Sequence, residues 1–186
     1  MPRWEPDARE RLVRAALLLF SEQGYDDTTV AQIAARAGLT KSTFHRHFPD
    51  KRDVLAAGQE TLSNLLAEGI AAAPAEASPL DAVAEGLRRA ATAFRPEIAA
   101  QVAAAVATSA ELQERAALKQ VGMAAAMADA LVARDVPEPV ARLAAEIGSL
   151  ALKAGFAEWA PNAGSEDIGV LMTSHLEGLR TSTAQL

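Results

Sequence analysis

Residues 28–48 read TTVAQIAARAGLTKSTFHRHF, and the caps, stops and apolar spacing within them decide the fold. Thr29 stands where a hydroxyl caps a helix start, and Val30, Ile33, Ala34 and Ala37 fall on one side of a short helix, Val30–Ala37. Gly38 stops that helix, because glycine enters the left-handed conformation without a Cβ penalty. Thr40 caps a further helix, Lys41–His47, so only Gly38, Leu39 and Thr40 join the two, the length of a helix-turn-helix connection. At 100° per residue Phe44 and Phe48 share a face, with Leu39 behind them, and must turn toward the core. Lys41, Ser42, Thr43, His45 and Arg46 then remain outside. Donors and small hydroxyls on such a face suit the major-groove edges of DNA, and the dipole at the helix start favours phosphate.

The same reading extends outward. Upstream, a helix over Pro6–Gln23 places Leu12, Ala15, Ala16, Leu19 and Phe20 on one face. Gly24 ends it, and Tyr25 packs back on its last turn. Downstream, Pro49 closes the Lys41–His47 helix and Asp50 caps a fourth, Lys51–Ala72. The stretch AAAPAEASP, residues 71–79, breaks the pattern twice with proline. Further helices are expected over Pro79–Phe94 with Ser78 as cap, and over Pro96–Thr108. Three more run from a Ser109 cap to Ala133, from Pro137 and Pro139 to Trp159, and from a Ser165 cap to Thr181. Roughly a quarter of the 186 residues are alanine, and alternating β-branched runs are absent, so the chain reads as all-α with about nine helices.

Charge separates two domains. Residues 1–52 hold nine Lys/Arg against seven Asp/Glu, whereas residues 53–186 hold nine against seventeen, within a total of −6. Thr28–Arg52 alone carries five basic residues against one acidic. A basic patch on an acidic body is the footprint of a small nucleic-acid reader, 1–52, attached to a helical domain, 53–186, with another task. The absence of cysteine excludes a disulfide framework, a thiolate metal site and a cysteine nucleophile. The N-terminal stretch lacks a signal-peptide layout and no run of 18 apolar residues occurs, so a soluble, cytoplasmic protein without membrane association is expected.

The segment RERLVRAALLLFSEQGYDDTTVAQIAARAGLTKSTFHRHFPDKRDVL, residues 9–55, resembles the N-terminal domain of TetR-family transcriptional regulators. Phe20, Gly24–Tyr25, Thr28–Val30, Ile33–Ala34, Ala37–Leu39, Phe44, His47–Phe48 and Lys51 carry the likeness. The resemblance implies phosphate contacts for Thr29, His47 and Lys51, and groove contacts for Ala31, Gln32, Lys41, Ser42, Thr43 and His45, with Thr40 beside them. His45 stands where the family usually has tyrosine, so its imidazole would make DNA affinity sensitive to pH. The resemblance also implies a C-terminal domain that dimerises and often binds a small molecule.

In that C-terminal region the last two long helices are apolar on more than one face. Val140, Leu143, Ile147, Leu150 and Ala154 form one stripe, while Leu152, Phe156 and Trp159 form another. Leu171, Met172, His175, Leu176 and Leu179 line the final helix with Ile168. A helix apolar on two faces needs two partners, and the economical second is another subunit. Leu143, Ile147, Leu150, Ala154, Leu171, Met172, His175 and Leu179 are therefore expected at a homodimer interface. Gln101, Thr108, Gln120, Met123 and Met127 interrupt apolar stretches, and Phe94 and Phe156 have the size to wall a cavity for an effector of unreadable chemistry. Methionine as a gap filler is the cheaper reading of the same residues.

Catalysis has little support: there is no Gly-x-Ser-x-Gly elbow and no phosphate-cradling glycine loop. His45 and His47 lie about 200° apart on a helix and cannot share a metal, and Glu111 and Glu114 suit the first turn of a helix for dipole reasons. No cofactor, metal or catalytic residue is expected. The sequence points to a homodimeric repressor of a palindromic operator in double-stranded DNA, released by a small-molecule effector. The alternative is a dimeric DNA-binding regulator or activator without one.

Overall fold

The computed structural model describes residues 8–162 and 165–185, and among these it is helical without strands. The elements are α1 (Ala8–Gln23), α2 (Val30–Arg36), α3 (Lys41–His47), a 3-10 turn (Lys51–Ala56), α4 (Gln59–Ala72), α5 (Pro79–Ala91), α6 (Pro96–Thr108), α7 (Ala110–Val132), α8 (Glu138–Trp159), a second 3-10 turn (Ala160–Asn162) and α9 (Ile168–Thr183). The all-α expectation holds. Pro6, the expected start of the first helix, lies outside the described residues.

Two compact units emerge, one of residues 1–57 with 101–117, the other of 58–100 with 118–186. In the first unit α1, α2 and α3 close over Leu12, Ala16, Phe20, Ile33, Ala34, Phe44 and Phe48, all buried. Phe44 and Phe48 lie 5.6 Å apart at their ring centroids, and Phe20 meets Tyr25 edge-on at 5.1 Å. In the second unit α5 packs on α4, α8 and α9. Its core takes in Leu66, Ile70, Val83, Leu87, Met127, Leu131, Ala151, Met172 and Leu176.

Close helix approach in this second core depends on missing side chains. A Cβ on Gly69 would stand 2.6 Å from the Glu85 carbonyl oxygen, and one on Gly86 would stand 2.8 Å from that of Leu66, so α4 and α5 touch backbone to backbone. Gly155 likewise receives Met172, whose Cγ would lie 2.8 Å from an added Cβ. Arg134 donates to the carbonyls of Ala73 (2.8 Å) and Pro74 (2.6 Å), satisfying the end of α4.

Three local expectations are corrected. A single fourth helix over Lys51–Ala72 does not form: Gly58, at φ +77°, breaks it into the 3-10 turn and α4. An L side chain rarely adopts that backbone conformation, and the open space around Gly58 leaves nothing to force it back into the helical region. The chain therefore changes unit at a break after Ala57, whereas α6 and α7 run unbroken through the other two changes, at 100/101 and 117/118. The α9 cap is Asp167, not Ser165, because its Oδ1 accepts from the backbone N–H of Gly169 (2.7 Å) and Val170 (3.2 Å), while Ser165 donates to Asn162. Helix α5 ends at Ala91, so Phe94 lies in the turn that follows.

Gly69→Ala should destabilise the protein by about 1–3 kcal/mol, because the α4–α5 backbones must separate. Gly178→Ala, on an open surface of α9 with nothing within 4 Å, should instead stabilise by about 0.5–1 kcal/mol. Urea unfolding of both variants checks the contrast.

Candidate nucleic-acid interface

Every start and stop in the helix-turn-helix has an identifiable partner. Thr29 accepts from the Gln32 backbone N–H, and the Gln32 side-chain oxygen accepts from the Thr29 N–H at 2.8 Å, a reciprocal capping box. The chain leaves α2 through Gly38 at φ +66°, with Leu39 N–H donating to Ala34 and Gly38 N–H to Ala35, a Schellman closure. Thr40 accepts from the Thr43 N–H at 3.1 Å and starts α3. Arg11 reaches from α1 to donate to the Ala37 carbonyl at 2.5 Å, which fastens the turn to the first helix.

With Phe44 and Phe48 inward, Lys41, Ser42, His45 and Arg46 are exposed on α3, and Ala31, Gln32, Thr29 and Thr40 are exposed beside them. Arg36, by contrast, is held in a two-point ion pair with Glu22. That pairing holds the Glu22 carboxyl below its ordinary range, chiefly through the hydrogen bond. Arg52 lies 3.7 Å from Glu111 and 3.9 Å from Asp50. Lys41 and Arg46 have no ion pair with another described residue, so α3 presents two cations toward solvent.

Four predicted contact residues are placed in ways the sequence did not reveal. The Lys51 ammonium donates to the carbonyls of Tyr25 (2.7 Å), Thr28 (2.9 Å) and Asp26 (3.3 Å), and lies 4.1 Å from the centroid of the Tyr25 ring. Three protons meet three acceptors, so Lys51 clamps the α1–α2 turn and holds no N–H in reserve for phosphate. His47 is half-buried, and its Nε2 is covered without a hydrogen-bond partner among the described residues. The Thr43 hydroxyl pairs with that of Thr40 at 3.0 Å, and the Gln32 carbonyl oxygen serves the α2 cap, leaving its amide N–H free to face outward. Behind Lys51, burial and the neighbouring Glu111 carboxylate push the Tyr25 hydroxyl pKa up. Arg115 lies 3.0 Å from Asp53, so the first turns of α7 join this unit through charge as well as through Leu112.

The expected effector residues are divided between the two units. Gln101 and Thr108 belong to the first unit, and Phe94, Gln120, Met123, Met127 and Phe156 to the second. Met123 and Met127 are buried in packing, Met127 beside Gly148, whereas Phe94 lines a groove with Trp159. On the same inward side of α7, burial lowers the Lys119 amine to about 8.

Of the residues expected at a dimer interface, Leu143 and Leu150 are exposed, and Ala154, Leu171, His175 and Leu179 are partly so. Ile147 and Met172 are covered by their own chain, which removes them from that face. His175 pairs with Glu158 at 2.8 Å. Exposed Val140 and Val170 extend the apolar surface.

The family model of bacterial regulatory proteins of the tetR family matches residues 12–57, the span of this helix-turn-helix and its flanking turns. Residues 12–57 therefore carry the N-terminal DNA-reading module of the tetR family. The chain is 36% identical over 80 residues to the HTH-type transcriptional regulator TcmR of Streptomyces glaucescens, covering 43% of this chain and 35% of that protein. The chain thus spans about a third of the length of that curated relative. Beyond the head the likeness to solved TetR-family structures is one of fold. A TetR-family regulator from Syntrophomonas wolfei aligns over 96% of this chain and 95% of its own with a TM-score of 0.64 at 20% identity. FadR from Bacillus subtilis, solved with stearoyl-CoA, aligns over 90% and 95% with a TM-score of 0.59 at 18% identity.

Lys51→Ala should lower stability by about 1.5–3 kcal/mol, as expected for charge-assisted hydrogen bonds to partly buried carbonyls. Lys51→Arg should recover part of it. Chemical unfolding gives the loss, and a variant as stable as the parent would return Lys51 to the solvent-facing role that the sequence suggested.

Proposed function

We propose that the chain is a sequence-specific DNA-binding transcriptional regulator, acting as a homodimeric repressor that a small-molecule effector releases. The observation that carries the DNA-binding part is the exposed face of α3, where Lys41, Ser42, His45 and Arg46 stand together. Lys41 is placed to donate to guanine O6 and N7, and Ser42 and the His45 imidazole to a base edge or phosphate. Arg46 supplies charge for the backbone. Net charge does not oppose this, since the basic residues of Thr28–Arg52 are concentrated on the reading head. No catalytic role is assigned to any residue.

Dimerisation is supported by the exposed apolar stripe of α8, Val140, Leu143 and Leu150, beside Leu171 and Leu179 of α9. Two helices from each copy would bury this surface as a four-helix bundle. A dimer would read two half-sites about 34–36 Å apart, in successive major grooves. Control by an effector is supported by the fold likeness to a FadR solved with stearoyl-CoA. Because the chain breaks at Gly58, the message from an effector would run through α6 and α7, which are continuous. Coupling of about 1–3 kcal/mol would weaken DNA binding roughly 5–150-fold, and DNA would weaken effector binding equally.

Selection of duplexes from a random library should enrich a two-fold-symmetric site. Leu143→Arg combined with Leu150→Arg should give a monomer by sedimentation and weaken binding to that site by at least about 100-fold, since each head alone reads only a few base pairs. Lys41→Ala should alter preference at one or two base pairs by about 1–3 kcal/mol. No enrichment, or full affinity in the monomeric variant, would refute the proposal.

A further inference from the structure

In the second unit, residues at the end of α5, the start of α6, the end of α8 and the start of α9 line a groove of about 480 Å³. Its wall is aromatic. Phe94 meets Trp159 edge-on at 6.3 Å between centroids, and Pro96, Ile168 and Val170 complete the apolar part; Phe156, outside the lining, lies 5.8 Å from Phe94. The volume falls in the range of about 300–1,000 Å³ typical of small-molecule sites.

The polar groups of the groove are one-sided. Asp167 and Glu166, both acidic and exposed, lie in its lining. Asp167 already accepts the first backbone N–H groups of α9, so the positive end of that helix is filled by the chain's own acid and offers no seat to an anion. The hydroxyls of Thr92 and Thr173 donate to the carbonyls of Arg89 and Gly169, which leaves their lone pairs, not their protons, for a guest. Trp159 Nε1 donates to the Glu166 carbonyl at 3.0 Å and is likewise engaged. Arg88 is the one cation among the lining residues, and Glu85 holds it at 2.5 Å.

We propose that this groove binds a lipophilic cation, its apolar body against Phe94 and Trp159 and its charge toward Asp167 and Glu166. The aromatic faces add to the preference, because a ring quadrupole attracts positive charge. A lipophilic anion would meet two acidic residues, and the one cation of the lining, Arg88, is already paired with Glu85. The proposal concerns binding alone and holds whether or not DNA affinity responds to the occupant, so failure of the regulatory reading leaves it standing.

Tetraphenylphosphonium and tetraphenylborate have one shape and opposite charge, which makes them suitable probes. In the full chain with Trp4→Phe, Trp159 is the single remaining tryptophan. Phosphonium should change its emission saturably in the micromolar range and release or absorb heat in calorimetry at the same concentrations. Borate should bind at least about tenfold more weakly. Asp167→Asn keeps a good helix cap while removing the charge, and Glu166→Gln alters no backbone contact. Each should weaken phosphonium binding about 5–10-fold at unchanged thermal stability. Equal affinity for both probes, binding of neither by both readouts, or undiminished affinity in the two variants would overturn the proposal.

Discussion

Burial of one aromatic face sets the orientation of everything on α3. Phe44 and Phe48, with exposures of 0% and 2%, occupy one edge of a seven-residue helix too short to be stable alone. Their packing against α1 and α2 both holds the helix and determines which side chains must face water. Lys41, Ser42, His45 and Arg46 are outside because the phenylalanines are inside. A change that loosened this face, such as truncation of Phe44 at a cost of about 3–5 kcal/mol, would disorder the reading surface before touching any residue on it.

Around that anchor, cations divide by partner. Lys51, Arg11 and Arg36 are taken up by carbonyls or by Glu22 and fix turns. Arg52 and Arg115 meet Glu111 and Asp53 and join the start of α7 to the head. Lys41 and Arg46 are exposed and make no ion pair with another described residue. Basic residues that look alike in sequence therefore serve two ends. The clamp at Lys51 is the sharper case, since three backbone carbonyls converge on one ammonium.

What was legible in the sequence was local. Thr29, Thr40, Asp50 and Ser78 act as caps, and Gly24 and Gly38 take positive φ, because such preferences depend on a few neighbouring atoms. What was hidden was set at long range. A lysine after a helix stop resembles a phosphate ligand until the Tyr25–Thr28 turn folds over it. Ile147 and Met172 belong to stripes that the sequence cannot divide between own core and partner, and Gly155 decides the case for Met172 by admitting it. Gly58 sits in a helix-favouring stretch, where a single glycine is tolerated at a cost of about 1 kcal/mol, so the break is not legible from its neighbours. Asp167 displaced Ser165 as cap, a shift of two residues that also set the charge of the groove.

Nucleic acid is proposed to meet the outer face of α3 and not the acidic body. Amide chemical shifts of the isotope-labelled full chain, followed during titration with a selected duplex, test it most directly. Lys41, Ser42, His45, Arg46 and the start of α2 should show the largest changes, with Phe94, Trp159 and Asp167 little affected. Unmoved α3 resonances in the presence of saturating duplex, or changes centred on the second unit, would show that DNA is bound elsewhere on the chain.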